Sequence, residues 1–167
     1  MSAGERASGR TALARDGFSE LGDADRLLGE LSDALALSRD EILVGADGAA
    51  DPDAALSALA RIARRDASAV AAALRRGGAT LWLLLGASNG FADFYLRHPD
   101  ELAHLPAAAT PLPTGDELVA ELRAAVEADA DGFAARGDES VWVALRTRYR
   151  RLLARIAVLD LAAPDPV

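Results

Sequence analysis

Between Trp142 and Leu159, large apolar residues at 142, 145, 149, 152, 156 and 159 follow alternating steps of three and four without a break. An α-helix brings such positions onto one face, whereas a strand would scatter them over two. The pattern predicts a helix over Ser140 to Leu161, about 33 Å long at the usual rise per residue. Arg146 and Arg150 lie on one flank of this seam, and Arg148, Arg151 and Arg155 on the other. Asp160 falls beside the seam, where an ionised carboxylate needs an Arg partner or water if it is buried.

The rest of the chain speaks the same language. Alanine and leucine occupy 39 and 26 of the 167 positions, and the β-branched and aromatic residues that favour strands are sparse. Asp23 precedes the stripe Leu27, Leu28, Leu31 and Leu35 of a first helix. Ser38 and Glu41 have the spacing of a capping box ahead of Ile42 and Leu43. Asp51-Pro52 supplies an N-cap and a proline at the first helical position, ahead of Leu56, Leu59, Ile62 and Ala63. Asp66 to Arg76 repeats the logic with Val70 and Leu74, and Gly77-Gly78 predicts its end.

Three prolines and a run of alanines between Leu105 and Thr114 form a linker. Thr114 and Glu117 make a second capping box before Leu118, Leu122 and Val126, and Asp129 to Asp138 reads as a polar loop. No fixed-period repeat is present. The expected fold is therefore all-α, an irregular multi-helix bundle with a long C-terminal helix. Its expected organisation is a disordered leader over 1–17, a helical domain over 18–163 and a short tail over 164–167. A chain of this length can bury a core in a single domain.

Composition narrows the partners. All 18 basic residues are Arg, and 26 acidic residues leave a net charge of -8 and a pI near 4.7. That balance repels nucleic-acid backbones and anionic membranes. The densest apolar run, Leu81 to Leu85, is too short to span a bilayer, and residues 1–15 lack the apolar segment of a secretory signal. The absence of cysteine removes disulfides, thiol nucleophiles and Cys-based zinc sites and suits a cytoplasmic protein.

One stretch invites a chemical reading: "LLLGASNGFADFYLRHPDEL", Leu83 to Leu102. Nucleotidyl transfer would need Gly-Ser at a helix N-terminus to hold a triphosphate and Asp-x-Asp on a following strand to hold two magnesium ions. Gly86-Ala87-Ser88 is followed only by a lone Asp93 in helical sequence. The triplets Asp23/Asp25, Asp51/Asp53 and Asp129/Asp131 sit at helix starts or in a loop, where capping and solvation explain them. His98 and His104 do not share the one-turn spacing of a helical metal pair, and no strand-and-elbow context supports a Ser-His-Asp triad. Locally, Asp93 and Arg97 are four apart in the orientation that supports a helix, and His98-Pro99 ends one helix and starts the next, with His98 as its cap. No catalytic, cofactor-binding or metal residue is expected.

Two stretches nevertheless resemble a known family. "LLLGASNGFADFYLRHPDEL" is similar to the Leu-Gly-x-Ser-x-x-x-Ala-Asp-x-x-x-Arg-His-Pro-Glu signature near the N-terminus of the bifunctional glutamine synthetase adenylyltransferase/adenylyl-removing enzymes, through Gly86, Ser88, Ala92, Asp93, Arg97, His98 and Pro99. "ALRTRYRRLLARIAVLDLA" resembles the same family's Leu-Arg-x-x-x-Arg-x-x-x-Leu-x-Arg-Ile-Ala-x-x-Asp-Leu helix, through Leu145, Arg146, Arg150, Leu153, Arg155, Ile156, Ala157, Asp160 and Leu161. The likeness runs from about Arg15 to Ala163. Leu159 departs from it, standing where the family commonly has a polar residue.

The resemblance implies a large cytoplasmic enzyme with two nucleotidyltransferase domains. One attaches AMP from ATP to a tyrosine of glutamine synthetase; the other removes it by phosphorolysis. Both use magnesium and answer to a nitrogen-signalling PII protein. The resemblance places this chain in the helical region ahead of the first catalytic domain. The sequence stops at "PDPV" before the family's Gly-Ser and Asp-x-Asp motif, so no catalysis is expected of it alone. Its structural and interface candidates are Asp93, Arg97, His98, Arg146, Arg150, Arg155 and Asp160, and the expected partner is the rest of the adenylyltransferase chain. The competing expectation is a stand-alone acidic helical interaction module; a small helical hydrolase or metalloenzyme has little support.

Overall fold

The computed structural model describes residues 11–107 and 111–163, every regular element of which is helical. Residues 1–10, which make up most of the expected leader, the 164–167 tail and linker residues 108–110 lie outside the described part. The chain divides into two compact units, Met1–Ala107 and Ala108–Val167.

In the first unit, packing reaches further towards the N-terminus than composition suggested. Residues 11–15, expected in the leader, are helical, and Leu13 and Phe18 are buried. Helix α1 (Leu21–Leu35) buries Ala24, Leu28, Leu31 and Leu35, one face at helical spacing. Its N-terminal cap, Glu20, makes no side-chain hydrogen bond. The free amides of Ser19 and Glu20 instead donate to the Asp53 carboxylate at 2.8 and 3.3 Å. Helix α2 (Arg39–Leu43) opens with the expected capping box: the Glu41 amide donates to Ser38 Oγ at 3.2 Å and the Ser38 amide to Glu41 Oε2 at 2.7 Å.

A 3-10 turn (Ala46–Gly48) leads to α3 (Pro52–Arg65). Asp51 caps α3 by accepting from the Ala54 amide at 2.9 Å, and Leu56, Leu59, Ile62 and Ala63 are buried as the spacing predicts. Helix α4 (Ala67–Ala87) is capped by Asp66 and packs extensively on α3. The expected stop at Gly77-Gly78 is instead a kink. Gly77 takes an extended conformation (φ -167°, ψ 53°), and the helix resumes through the apolar run Leu81–Leu85. Burial of that run holds the second half of α4 in place where the local signal favours termination. Trp82, at its centre, is buried, donates its indole N–H to the Ile42 carbonyl at 2.8 Å and meets Phe18 edge-on at 6.2 Å.

Helix α5 (Asn89–Arg97) and a 3-10 helix (Pro99–His104) complete this unit. Arg76 secures the latter, its guanidinium donating to the Leu102 and Ala103 carbonyls at 2.8 and 3.3 Å.

The second unit contains α6 (Gly115–Ala125), a polar loop and α7 (Glu139–Leu161). The Thr114/Glu117 box caps α6 as expected, and Asp138 caps α7 by accepting from the Ser140 amide at 3.0 Å. The predicted seam of α7 is divided in two. Of its members Leu152 is 4 % exposed and Leu145 and Leu159 are half-buried, whereas Trp142, Tyr149 and Ile156 are 56 %, 53 % and 40 % exposed; Val158, outside the seam, is buried as well.

Candidate functional site: the Leu83–Leu102 corner and the arginine helix

The glycine and serine that could have cradled a phosphate are occupied with packing and capping. A Cβ on Gly86 would lie 2.9 Å from Ala49 Cβ and 3.1 Å from the Asp51 carbonyl, so Gly86 is where α4 passes against the chain that enters α3. Ser88 caps α5, its hydroxyl accepting from the Gly90 amide at 3.1 Å. Asp93 faces two guanidinium groups, Arg97 at 3.6 Å and Arg61 at 3.7 Å, with all three side chains about half exposed or more. It is thus already counterbalanced by cations.

His98 needs a correction. It occupies the junction between α5 and the 3-10 helix, but its side chain makes no capping hydrogen bond. Its amide donates to the Phe94 carbonyl at 2.9 Å, and its ring lies 5.5 Å from that of Phe94, tilted by 43°. The turn is closed by backbone, with the imidazole laid on an aromatic face. Beside it, burial raises the Tyr95 phenol above its ordinary pKa and the nearby Glu101 charge adds to the shift, so Tyr95 stays protonated at neutral pH.

The acidic triplets serve the backbone and its arginines. Asp23 pairs with Arg26 at 3.3 Å, and Asp25 with Arg39; Asp51 and Asp53 cap helix starts; Asp129 accepts from the Phe133 amide at 2.9 Å. Glu30 lies between two arginines, and hydrogen bonds from Arg64 and Arg26 hold it below its ordinary pKa. No three His, Cys, Asp or Glu side chains gather to hold a metal ion among the described residues. At this corner a magnesium-nucleotide reading does not fit the residues, since Gly86 is closed by Ala49 and backbone and Asp93 is paired with arginines.

The arginines of α7 divide by face. Arg155 donates to Glu121 Oε1 of α6 at 3.2 Å and to the Pro111 carbonyl at 3.2 Å, while Arg148 lies 3.5 Å from the other oxygen of Glu121. Glu121 thus bridges two arginines one helical heptad apart. Sequence reasoning missed it; the signal was an acidic residue in α6 facing a strongly basic helix. Arg146 pairs with Glu139 at 3.3 Å, both side chains exposed, and Arg150 is exposed. Asp160 is exposed too, so solvent meets its charge directly. Of the seven candidates, the structure joins Asp93 to Arg97, sets His98 one step beyond, and places the other four on two different faces of α7.

These features define a helical scaffold whose polar groups are spent on caps and ion pairs. Relatives give the particular case. The chain is 43 % identical over 159 residues to the bifunctional glutamine synthetase adenylyltransferase/adenylyl-removing enzyme of Leifsonia xyli, a match covering 94 % of this chain and 16 % of that protein. The enzymes of the same name from Streptomyces coelicolor and Bifidobacterium longum are 37 % and 36 % identical over 171 and 172 residues, covering 96 % and 93 % of this chain. No family model matches the chain, and no solved structure does. The chain corresponds along nearly its whole length to a region of the glutamine synthetase adenylyltransferase family, and spans about one sixth of the length of these curated relatives.

Proposed function

We propose that this chain is the N-terminal helical portion of a glutamine synthetase adenylyltransferase/adenylyl-removing enzyme and is not catalytic by itself. The observation that carries this reading is the continuous similarity over 93–96 % of the chain to three enzymes of that name. The caps and ion pairs support the second half of it, because every Gly-Ser or Asp-x-Asp candidate described above is committed to packing, capping or an arginine, apart from Asp131, which lies in a loop. In the whole enzyme, ATP and magnesium would act in the nucleotidyltransferase domains, where AMP is transferred to a tyrosine of glutamine synthetase and removed by phosphorolysis under PII control. This region would act in the cytoplasm as a helical platform beside them, with Arg146, Arg150 and Asp160 of α7 turned toward the remaining chain.

The test is a magnesium-dependent assay of AMP transfer to glutamine synthetase, and of phosphorolysis from the adenylylated form, with this chain alone. No turnover is expected in either direction. Robust activity would overturn the non-catalytic reading. The well-capped, buried core of the first unit favours a second reading, a self-sufficient acidic interaction module, which predicts a monomer with one cooperative melting transition and no effect on adenylylation when joined to the relatives' remaining domains.

A further inference from the structure

The division of the α7 seam has a physical consequence. Trp142, Tyr149 and Ile156 are spaced by seven residues, as are Leu145, Leu152 and Leu159, which gives three heptads with both core columns apolar. Arg148 and Arg155, each one residue before a member of the first column, are the two that grip Glu121 of α6. The second column includes the buried Leu152, while the first stands open with three large side chains at 40–56 % exposure. The open column is bordered by Arg146 and Arg150, both exposed. Helix α6 buries none of its own residues, so this unit reads as a core with an element missing.

Resting on the family reading above, we infer that the Trp142–Tyr149–Ile156 column is the seat of one amphipathic helix that carries Asp or Glu beside its apolar stripe and is supplied by the part of the family's chain outside the matched region. Three observations select this occupant. The relatives hold about five-sixths of their length outside the match, so such a helix has a source in the same molecule. Beside Tyr149 the exposed rim is cationic through Arg146 and Arg150, with the carboxylates Glu139 and Asp160 only at its two ends, which favours carboxylates at the middle of the incoming helix. A second copy fits poorly: antiparallel pairing about Tyr149 sets the Arg146/Arg150 rim against itself, and parallel pairing sets it against the Arg148/Arg155 flank of the other copy.

The experiment is a chimera in which this chain replaces the matched region of the Leifsonia xyli relative, with the photo-crosslinker benzoylphenylalanine at Tyr149. Irradiation is expected to yield one intramolecular adduct to a carboxylate-bearing helical segment outside the replaced region. The same crosslinker at Val143, on another flank, should give none at that segment. Charge reversal by R146E/R150E should cut the adduct yield at least about fivefold. An adduct to residues 11–107, to a second copy or to glutamine synthetase, or no adduct, would overturn the inference. Adenylylation by the same chimera reports separately on the family reading.

The chain alone gives an independent check. It should sediment as a monomer, with Trp142 quenched by acrylamide and Trp82 protected, and W142F should abolish the quenchable emission. A dimer dispersed by Y149E, or a shielded Trp142, would overturn the proposal.

Discussion

Gly45 and Ala79 meet backbone to backbone: a Cβ placed on Gly45 would stand 2.4 Å from both Cα and Cβ of Ala79. Gly45 also holds φ at +84°, in the left-handed region that side chains disfavour. Only glycine lets the end of α2 lie against α4 immediately beyond its kink. Gly45→Ala should therefore cost about 3 kcal/mol or more, combining backbone strain with a clash that no flexible side chain can relieve. Gly115→Ala is the control, since a Cβ there meets nothing within 4 Å. Urea denaturation of the two variants should separate them clearly, with equal losses contradicting the packing described.

The neighbouring contact predicts a second loss. Trp82 fills the buried centre of the first unit and satisfies the Ile42 carbonyl at 2.8 Å. Trp82→Phe removes the N–H and leaves both a smaller ring and an acceptor without its donor. About 2–4 kcal/mol of stability should go with it. A thermal melt followed by far-ultraviolet circular dichroism measures the loss; an unchanged midpoint would mean that the indole is not the donor.

How legible these features were depended on their range. The capping boxes at Ser38/Glu41 and Thr114/Glu117 and the Asp51 cap were readable because donor and acceptor lie three residues apart and need no tertiary knowledge. Gly77-Gly78 misled for the opposite reason: a local stop signal was overridden by burial of the Leu81–Leu85 run. The α7 seam had the correct period and helix limits, but periodicity reports how wide an apolar face is, not how many neighbours share it. Glu121, Arg61 and Arg76 act across 26 to 34 positions, beyond the reach of any local spacing rule. In the Leu83–Leu102 corner, the spacing showed a turn between helices; only coordinates could show that Gly86 serves Ala49 and that His98 lies on Phe94 without capping.

Acid should weaken the fold through its caps. The Ala69 amide, then the Ser68 hydroxyl, hold the Asp66 carboxyl below its ordinary pKa, as Ser38 does for Glu41 and Thr114 for Glu117. Each carboxyl thus has a folded pKa depressed below its unfolded value. Its contribution is fully present above the unfolded value, near pH 4, and is lost as pH falls through the folded one. Asp66→Asn keeps an acceptor for the Ala69 amide while removing the titration. That variant should lose less stability than the parent chain on going from pH 5 to pH 2, measured by urea midpoints across the range. An identical pH profile would show that Asp66 does not contribute.

Glu121 should matter more than its position on a sparsely buried helix suggests. Its two oxygens serve Arg148 and Arg155, the latter with only a quarter of its side chain exposed and with an Nε that is buried without a partner. Removing the carboxylate leaves two cations without the charge that joins them, so the loss includes repulsion as well as two ion pairs. Glu121→Ala should destabilise the α6–α7 pairing by about 1–2 kcal/mol and raise amide exchange along residues 139–161. Glu121→Gln, which retains an acceptor, should recover part of that loss. Arg146→Ala, which breaks an exposed pair with Glu139, should change exchange within about 0.5 kcal/mol of the parent. If Arg146→Ala proved the more disruptive, the division of α7 into a gripped face and an open face would be reversed.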